Sequence, residues 1–227
     1  MDPPVSAHQS IWSAVDDYLI SALHASDPVL DHAIVSSQTA GLPEIQVSET
    51  LGKFLHLLAR IHHASRILEI GTLGGYSTIW LARALPPDGK LITIELDPEH
   101  AKVAQANLES AGVSDRVDLR LGAALDILPQ IESDGESAFD FIFIDADKPS
   151  NVAYLEWALK LSRSGSVIVL DNVVRDGAII EAESIDEKVR SSRAALEWLG
   201  NHPQIESTAV QTVGAKGYDG VAIALVK

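Results

Sequence analysis

Two apolar runs that break off on acidic residues constrain this chain more than any other feature. Phe139-Asp140-Phe141-Ile142-Phe143-Ile144 passes directly into Asp145-Ala146-Asp147-Lys148, and Ser166-Val167-Ile168-Val169-Leu170 passes into Asp171-Asn172. Short runs of β-branched and aromatic residues bounded by polar ones read as strands buried on both faces, the condition of a parallel sheet covered by helices. Open sheets of that kind bind ligands beyond the carboxyl ends of their strands. The two runs therefore bring Asp145, Asp171 and Asn172 together at one ligand edge. Their three hard oxygens suit Mg²⁺, Mn²⁺ or Ca²⁺. Lys148, three residues past Asp145, adds an amine beside them.

From Arg66 onward, similar runs alternate with helical segments. Strands are predicted at 66–70, 91–95, 117–121, 139–145 and 166–171, with helices near 76–84, 98–110, 123–131 and 150–162. The alternation predicts an α/β doubly wound sheet. A helix is expected near 186–200, followed by strands at 207–213 and 220–226. Only Gly214 to Asp219 separate those two strands, so a hairpin is expected and one strand should run antiparallel. The first 64 residues lack strand-like runs and read as a helical cap on an α/β core of 65–227, all within one domain. Ile11, Val15, Tyr18, Leu19 and Leu23 recur at helical spacing. A second helix is predicted over 28–36, a loop over 37–47, and a third helix capped by Ser48, with Leu51, Phe54, Leu55 and Leu58 on one face.

Composition removes several chemistries. The chain has no cysteine, which excludes disulfides, thiolate zinc sites, iron–sulfur clusters and cysteine nucleophiles. Its eight histidines are scattered and form no ligand set. A net charge of −15 disfavours broad binding to phosphate backbones. No apolar stretch is long enough to span a bilayer. Met1 to Ser6 carries no basic or apolar signal region, and a cytoplasmic location is expected.

The segment Leu68-Glu69-Ile70-Gly71-Thr72-Leu73-Gly74-Gly75-Tyr76-Ser77 joins the first strand to its helix. Its glycines permit a tight turn close to a ligand. The pattern is not G-x-G-x-x-G, which argues against a dinucleotide pyrophosphate. Glu69 directs an anion toward the site, which suits a ligand bearing an ammonium group such as S-adenosylmethionine. At the end of the second strand, Glu95 and Asp97 compete to accept ribose hydroxyls. Asp97 precedes Pro98 and reads more simply as a helix cap, so Glu95 is assigned to the ribose. Gly122-Ala123-Ala124 is small enough to admit a flat adenine.

Together these residues resemble the cation-dependent class I O-methyltransferases, the family of the caffeoyl-CoA and catechol enzymes. The marks are Glu69-Ile70-Gly71-Thr72 with Gly75-Tyr76-Ser77, Glu95-Leu96-Asp97-Pro98-Glu99, Asp145-Ala146-Asp147-Lys148, Asp171-Asn172-Val173 and Asp219-Gly220. The resemblance implies a Rossmann-like, seven-stranded, mostly parallel sheet of order 3-2-1-4-5-7-6. It implies that Val47, Glu69, Gly71, Thr72, Ser77, Glu95, Ala124 and Asp145 contact S-adenosylmethionine. It also implies that Asp145, Asp171 and Asn172 bind the divalent cation, and that Lys148 acts as general base beside Asp145. The acceptor is then a small phenol of catechol or hydroxycinnamate type, walled by the N-terminal 40 residues and by Val173 to Lys188. The chain departs from the plant members at Lys53 and Asn151, which implies an acceptor other than the plant coenzyme-A ester. A homodimer without membrane or nucleic-acid partners is implied. Rival readings are methylation of a hydroxylated uridine in tRNA, a nicotinamide dehydrogenase, and a non-catalytic S-adenosylmethionine-binding protein.

Overall fold

The computed structural model of the protein describes residues 7–136 and 138–227. The hexapeptide Met1 to Ser6, read above for targeting, lies outside the described residues. Three helices come first: α1 (Ala7–Leu23), α2 (Pro28–Thr39) and α3 (Glu49–Ile61). Then β1 (Arg66–Ile70), α4 (Tyr76–Ala82), β2 (Lys90–Glu95), α5 (Pro98–Ser110), β3 (Val117–Leu121) and α6 (Ala124–Ser133) alternate. The chain continues through β4 (Phe139–Ile144), α7 (Asn151–Lys160), β5 (Ser162–Asp171), α8 (Glu187–Asn201), β6 (Ile205–Gly214) and β7 (Gly217–Val226).

The seven strands form one sheet of order β3-β2-β1-β4-β5-β7-β6. β7 runs antiparallel to both β5 and β6, and the remaining pairs are parallel. Successive strand residues face opposite sides, so each central strand feeds two cores. Leu68, Ile70, Ile142 and Ile144 pack with Leu128, Leu155 and Leu199 from α6, α7 and α8. Ile67, Phe141, Phe143 and Val169 pack with Leu55, Ile79 and Leu108 from α3, α4 and α5. This two-sided burial explains why the strands read as continuous apolar runs.

One polar residue interrupts the β4 run without breaking it. Asp140 is buried, and its Oδ2 accepts the Ser65 and Arg66 backbone N–H groups at 2.8 and 2.9 Å. Arg163 pairs with its other oxygen. The carboxylate thus ties the starts of β1, β4 and β5 together, at the end of the sheet away from the ligand edge.

Several expected boundaries move. α2 continues to Thr39, into the predicted loop. α7 stops at Lys160, and β5 begins at Ser162, because Ser162 pairs with Phe139 across a register shift. The last hairpin is tighter than its sequence implied: Gly214 pairs with Gly217, leaving only Ala215 and Lys216 in the turn. The α1 face formed by Ile11, Val15, Tyr18 and Leu23 is exposed by 50–73%. That helix is docked through polar contacts to the hairpin: Asp16 accepts the Ala215 N–H at 2.7 Å, and Gln9 donates to the Gly214 carbonyl at 2.9 Å.

Candidate active site

The carboxyl ends of β1, β2, β4 and β5 open into a cavity of about 890 Å³. Val47, Gly71, Thr72, Ser77, Glu95 and Ala124 line it at one end. Asp145, Lys148 and Asn172 line it at the other, and Arg175 and Lys188 are also on the lining. Glu69 and Asp171 are not on the lining. They are 0% and 5% exposed, set just behind it. Of the described residues among the first 40, none lines the cavity; the N-terminal contribution is Ile45, Gln46 and Val47.

The first end is built on backbone geometry. Gly71 sits at φ +101°, and a Cβ there would stand 2.1 Å from the Asp145 carbonyl oxygen. Only glycine lets the β1–α4 turn pass this close to the end of β4. Glu95 braces the same turn. Its Oε2 accepts the N–H groups of Thr72 at 3.2 Å and Leu73 at 2.7 Å, and its Oε1 accepts the Asp97 N–H at 2.9 Å. A carboxylate offers about four lone-pair sites, so Glu95 retains capacity for hydroxyl donors. Asp97 caps α5, accepting from the Glu99 and His100 N–H groups at 2.8 and 3.3 Å.

Glu69 lies beneath the turn. Its Oε2 accepts the hydroxyls of Thr78 at 2.5 Å and Thr93 at 2.7 Å. Its Oε1 is buried without a hydrogen-bond partner among the described residues. Burial pushes its carboxyl up to about 7, against the hydroxyls that donate to it. A buried acidic oxygen lacking a donor is suited to a cationic group on a ligand.

At the second end, Ile144 and Leu170 pair across β4 and β5, so Asp145 and Asp171 leave adjacent strands side by side. Lys148, itself 8% exposed, donates to Asp145 Oδ1 at 2.8 Å. Asp171 Oδ1 accepts the Asn172 N–H at 2.7 Å. Burial, reinforced by the neighbouring Asp145 charge, pushes the Asp171 carboxyl up to about 7. Two carboxylates served by one ammonium leave the cluster short of positive charge. Its oxygen donors, two carboxylates and the Asn172 amide, fit a hard divalent cation. Among the described residues no group of three or more His, Cys, Asp and Glu forms a metal site, so the amide is essential to this donor set.

The loop after β5 adopts an unusual path. Asn172, Arg175 and Asp176 have φ of +59°, +58° and +54°. Asparagine tolerates that region, whereas arginine held there needs support. Asp219 provides it: Oδ1 accepts the N–H groups of Val174 at 2.9 Å, Arg175 at 3.0 Å and Gly220 at 2.9 Å. Gly220 is required by close packing, since a Cβ would approach Val174 Cγ2 to 2.6 Å and the Val210 carbonyl to 2.7 Å. This gives the Asp219-Gly220 motif a role that its sequence did not disclose. Ser192 of α8 reaches the Asn172 carbonyl at 3.4 Å from the other side.

Sequence reasoning did not single out four further lining residues: Tyr154, His100, Arg175 and Lys188. Tyr154 donates to Asp147 Oδ1, and Asp147 also accepts the Ser150 hydroxyl at 2.6 Å, which together fix the loop that carries Lys148. The Asp-Ala-Asp-Lys spacing contained the signal for Asp147. The other residues carry no local pattern.

With this geometry, the chain matches the sequence profile of the O-methyltransferase family over residues 22–225. The chain belongs to that family. It is 53% identical to a catechol O-methyltransferase of Mycobacterium tuberculosis over 213 residues, covering 94% of this chain and 95% of the relative. It is 49% identical to a catechol O-methyltransferase of Niastella koreensis, covering 97% and 100%. An O-methyltransferase from Bacillus cereus, solved in complex with SAH, superposes with a TM-score of 0.95 at 51% identity, covering 96% of this chain and all of that one. The chain is thus similar over nearly its whole length to enzymes that methylate oxygen. No helix among the described residues is long and apolar enough to cross a membrane.

Proposed function

We propose that this O-methyltransferase transfers a methyl group from S-adenosylmethionine to one hydroxyl of a small catechol-type phenol, with a divalent cation. The observation that carries the reading is that one continuous cavity has the Gly71 turn and Glu95 at one end and Asp145, Lys148 and Asn172 at the other. Relatives named for catechol point to the same acceptor class.

At the donor end, Glu95 accepts the ribose hydroxyls, Ala124 leaves room for the base, and the buried Glu69 oxygen offers its charge to the ammonium. Val47, Gly71, Thr72 and Ser77 complete that wall. The donor supplies an electrophilic methyl on a sulfonium. At the acceptor end, Asp145, Asp171 and Asn172 would hold the cation. A hard divalent ion supplies Lewis acidity that makes a phenol easier to ionise. Lys148, in its neutral amine form, would take the hydroxyl proton at Nζ to become the ammonium, and its bond to Asp145 fixes that nitrogen at the cavity wall. The walls hold donor and acceptor in line and exclude competing water.

The assay is release of S-adenosylhomocysteine on mixing protein, S-adenosylmethionine and catechol. Turnover is expected with Mg²⁺ or Mn²⁺, with loss on EDTA treatment and in Asp171→Ala. Full activity after exhaustive chelation would overturn the cation-dependent reading.

We also propose a cytoplasmic homodimer. Ile11, Val15, Tyr18 and Leu23 on α1 and Phe54, Leu57 and Ile61 on α3 are large exposed apolar side chains, at 41–74% exposure. Apolar surface of this extent on neighbouring helices favours a protein partner. Light scattering should give twice the 24.3 kDa chain mass.

A further inference from the structure

Two adjacent glycines, Gly74 and Gly75, lead the β1–α4 turn into α4, whose first residues Tyr76 and Ser77 line the cavity. Space and conformation require both. A Cβ on Gly74 would stand 2.1 Å from the Ser37 hydroxyl oxygen, and Gly75 sits at φ +82°. A Gly-Gly step is also free to rotate its shared peptide, so the packing that demands glycine leaves the turn loose. Glu95 holds one side of the turn through the Thr72 and Leu73 N–H groups. The Gly75 N–H closes back on the Thr72 carbonyl at 2.9 Å. The Gly74 carbonyl takes its partner from α5.

That partner is Asn107, which is 2% exposed and does not line the cavity. Its Nδ2 donates to the Gly74 carbonyl at 2.8 Å and, at 3.4 Å, to the Ala33 carbonyl of α2. Its Oδ1 accepts the Ser36 hydroxyl of α2 at 2.6 Å. Donor and acceptor functions of the amide are thus both used, on elements 33 to 74 positions away. The other buried residues of α5 include Ala101, Ala104 and Leu108, so an apolar side chain is the ordinary choice on this face. A buried amide there is costly unless it is bonded in this way. α2 in turn leads into the segment whose Ile45, Gln46 and Val47 line the same end of the cavity.

We propose that Asn107 is a positioning residue for methyl transfer. From behind the wall it locks the peptide between Gly74 and Gly75 in one orientation and registers α2 against the glycine turn. It offsets the freedom that the two glycines bring, so that the entry to α4, with Tyr76 and Ser77, meets the ligand in one arrangement. A site held in advance binds more tightly than one that must be ordered on binding. The inference rests on the assignment of this end of the cavity to S-adenosylmethionine.

The test measures S-adenosylhomocysteine affinity by calorimetry on the full chain, with KM for S-adenosylmethionine and for catechol alongside. Asn107→Leu keeps the bulk and removes both functions of the amide. Asn107→Asp keeps the acceptor for Ser36 and loses the donor to Gly74. Ser36→Ala cuts the link to α2 and leaves the Gly74 bond. Asn107→Leu is expected to weaken S-adenosylhomocysteine binding by about tenfold, the scale of one buried hydrogen bond lost. KM for S-adenosylmethionine should rise in step, while KM for catechol and kcat at saturating donor stay within about threefold. Asn107→Asp should match Asn107→Leu, and Ser36→Ala should cost only about two- to threefold. Amide exchange over residues 71–77 should quicken in the same order. A merely structural role would raise both KM values together and follow the thermal midpoint, and that outcome overturns the proposal. So does unchanged affinity in Asn107→Leu where Glu95→Ala lowers it, which leaves the donor site standing. If Glu95→Ala also leaves affinity unchanged, the donor assignment itself falls. Ser36→Ala removes a single oxygen and keeps the test decisive if the Asn107 variants do not fold: unchanged affinity and unchanged exchange over 71–77 in that variant overturn the proposal.

Discussion

The two ends of the cavity are made in different ways. At the end proposed for the methyl donor, Glu95 is held by nearby backbone: it accepts three N–H groups, two of them from the turn it faces. At the end proposed for the acceptor, Asn172 and Arg175 sit at positive φ on a loop held by Asp219 from β7 and Ser192 from α8. The donor end is braced by the side chain that faces its turn. The other end is a loop held by residues distant in the sequence. Substrate choice can therefore change there without disturbing the donor site.

The comparison breaks most visibly at Lys148. Lys148→Ala should slow methyl transfer by about 10²–10⁴-fold, the usual loss of one positioned acid–base group. Affinity for S-adenosylmethionine should stay within about twofold by calorimetry. The defect should shrink for more acidic catechols in single-turnover rates. An equal defect for every acceptor would make Lys148 a positioning group.

Next in size is Asp219→Ala, which leaves the Val174 and Arg175 N–H groups without their acceptor. Misplacement of the wall by about an ångström costs on the order of 10²-fold in rate. The loss should fall on acceptor turnover, while the donor dissociation constant holds. A comparable loss of donor affinity would show that the two ends are not separable.

Glu95→Ala probes the other end. Removing charge-assisted bonds worth roughly 1.5–3 kcal/mol each should weaken S-adenosylmethionine binding by at least about tenfold. Because the same carboxylate braces the Gly71 turn, the thermal midpoint of the unliganded protein should fall as well. Unchanged affinity would remove Glu95 from the ribose.

The smallest effect is a pH dependence. Glu69 titrates near 7 in the folded chain and in the ordinary carboxylate range when unfolded. Between those values the folded state holds a proton that the unfolded state has released. Its contribution to stability is therefore full at low pH and is lost as pH rises through about 7. Asp171 acts with the same sign. Glu69→Gln should flatten the decline in thermal midpoint between about pH 5 and 8, and an unaltered slope would assign that decline elsewhere.

Much of the fold was legible because two-sided burial writes itself into consecutive residues. Phe139 to Ile144 and Val167 to Leu170 needed no neighbour to be read as central strands, and the acids that follow them marked the ligand edge. The order of the sheet required the family resemblance, since β7 enters between β5 and β6 by pairing that no local pattern records. Boundaries shifted where tertiary pairing overrode propensity, as when Ser162 joined Phe139 and shortened α7. The face of α1 shows the reverse limit: helical spacing of Ile11, Val15 and Tyr18 predicts a helix but not what covers it.

The sequence by itself determined the alternating fold, the Gly71 turn, the Asp97 cap of α5, and the acidic ends of β4 and β5. Each depends on φ, on burial or on capping within a few residues. Only the tertiary structure decided that Glu69 and Asp171 stand behind the lining, that Asp219 holds the Asn172 loop, and that Arg175 and Lys188 line the same cavity. Those facts join residues up to 45 positions apart, and contacts made across folded elements leave no periodic trace in the chain that makes them.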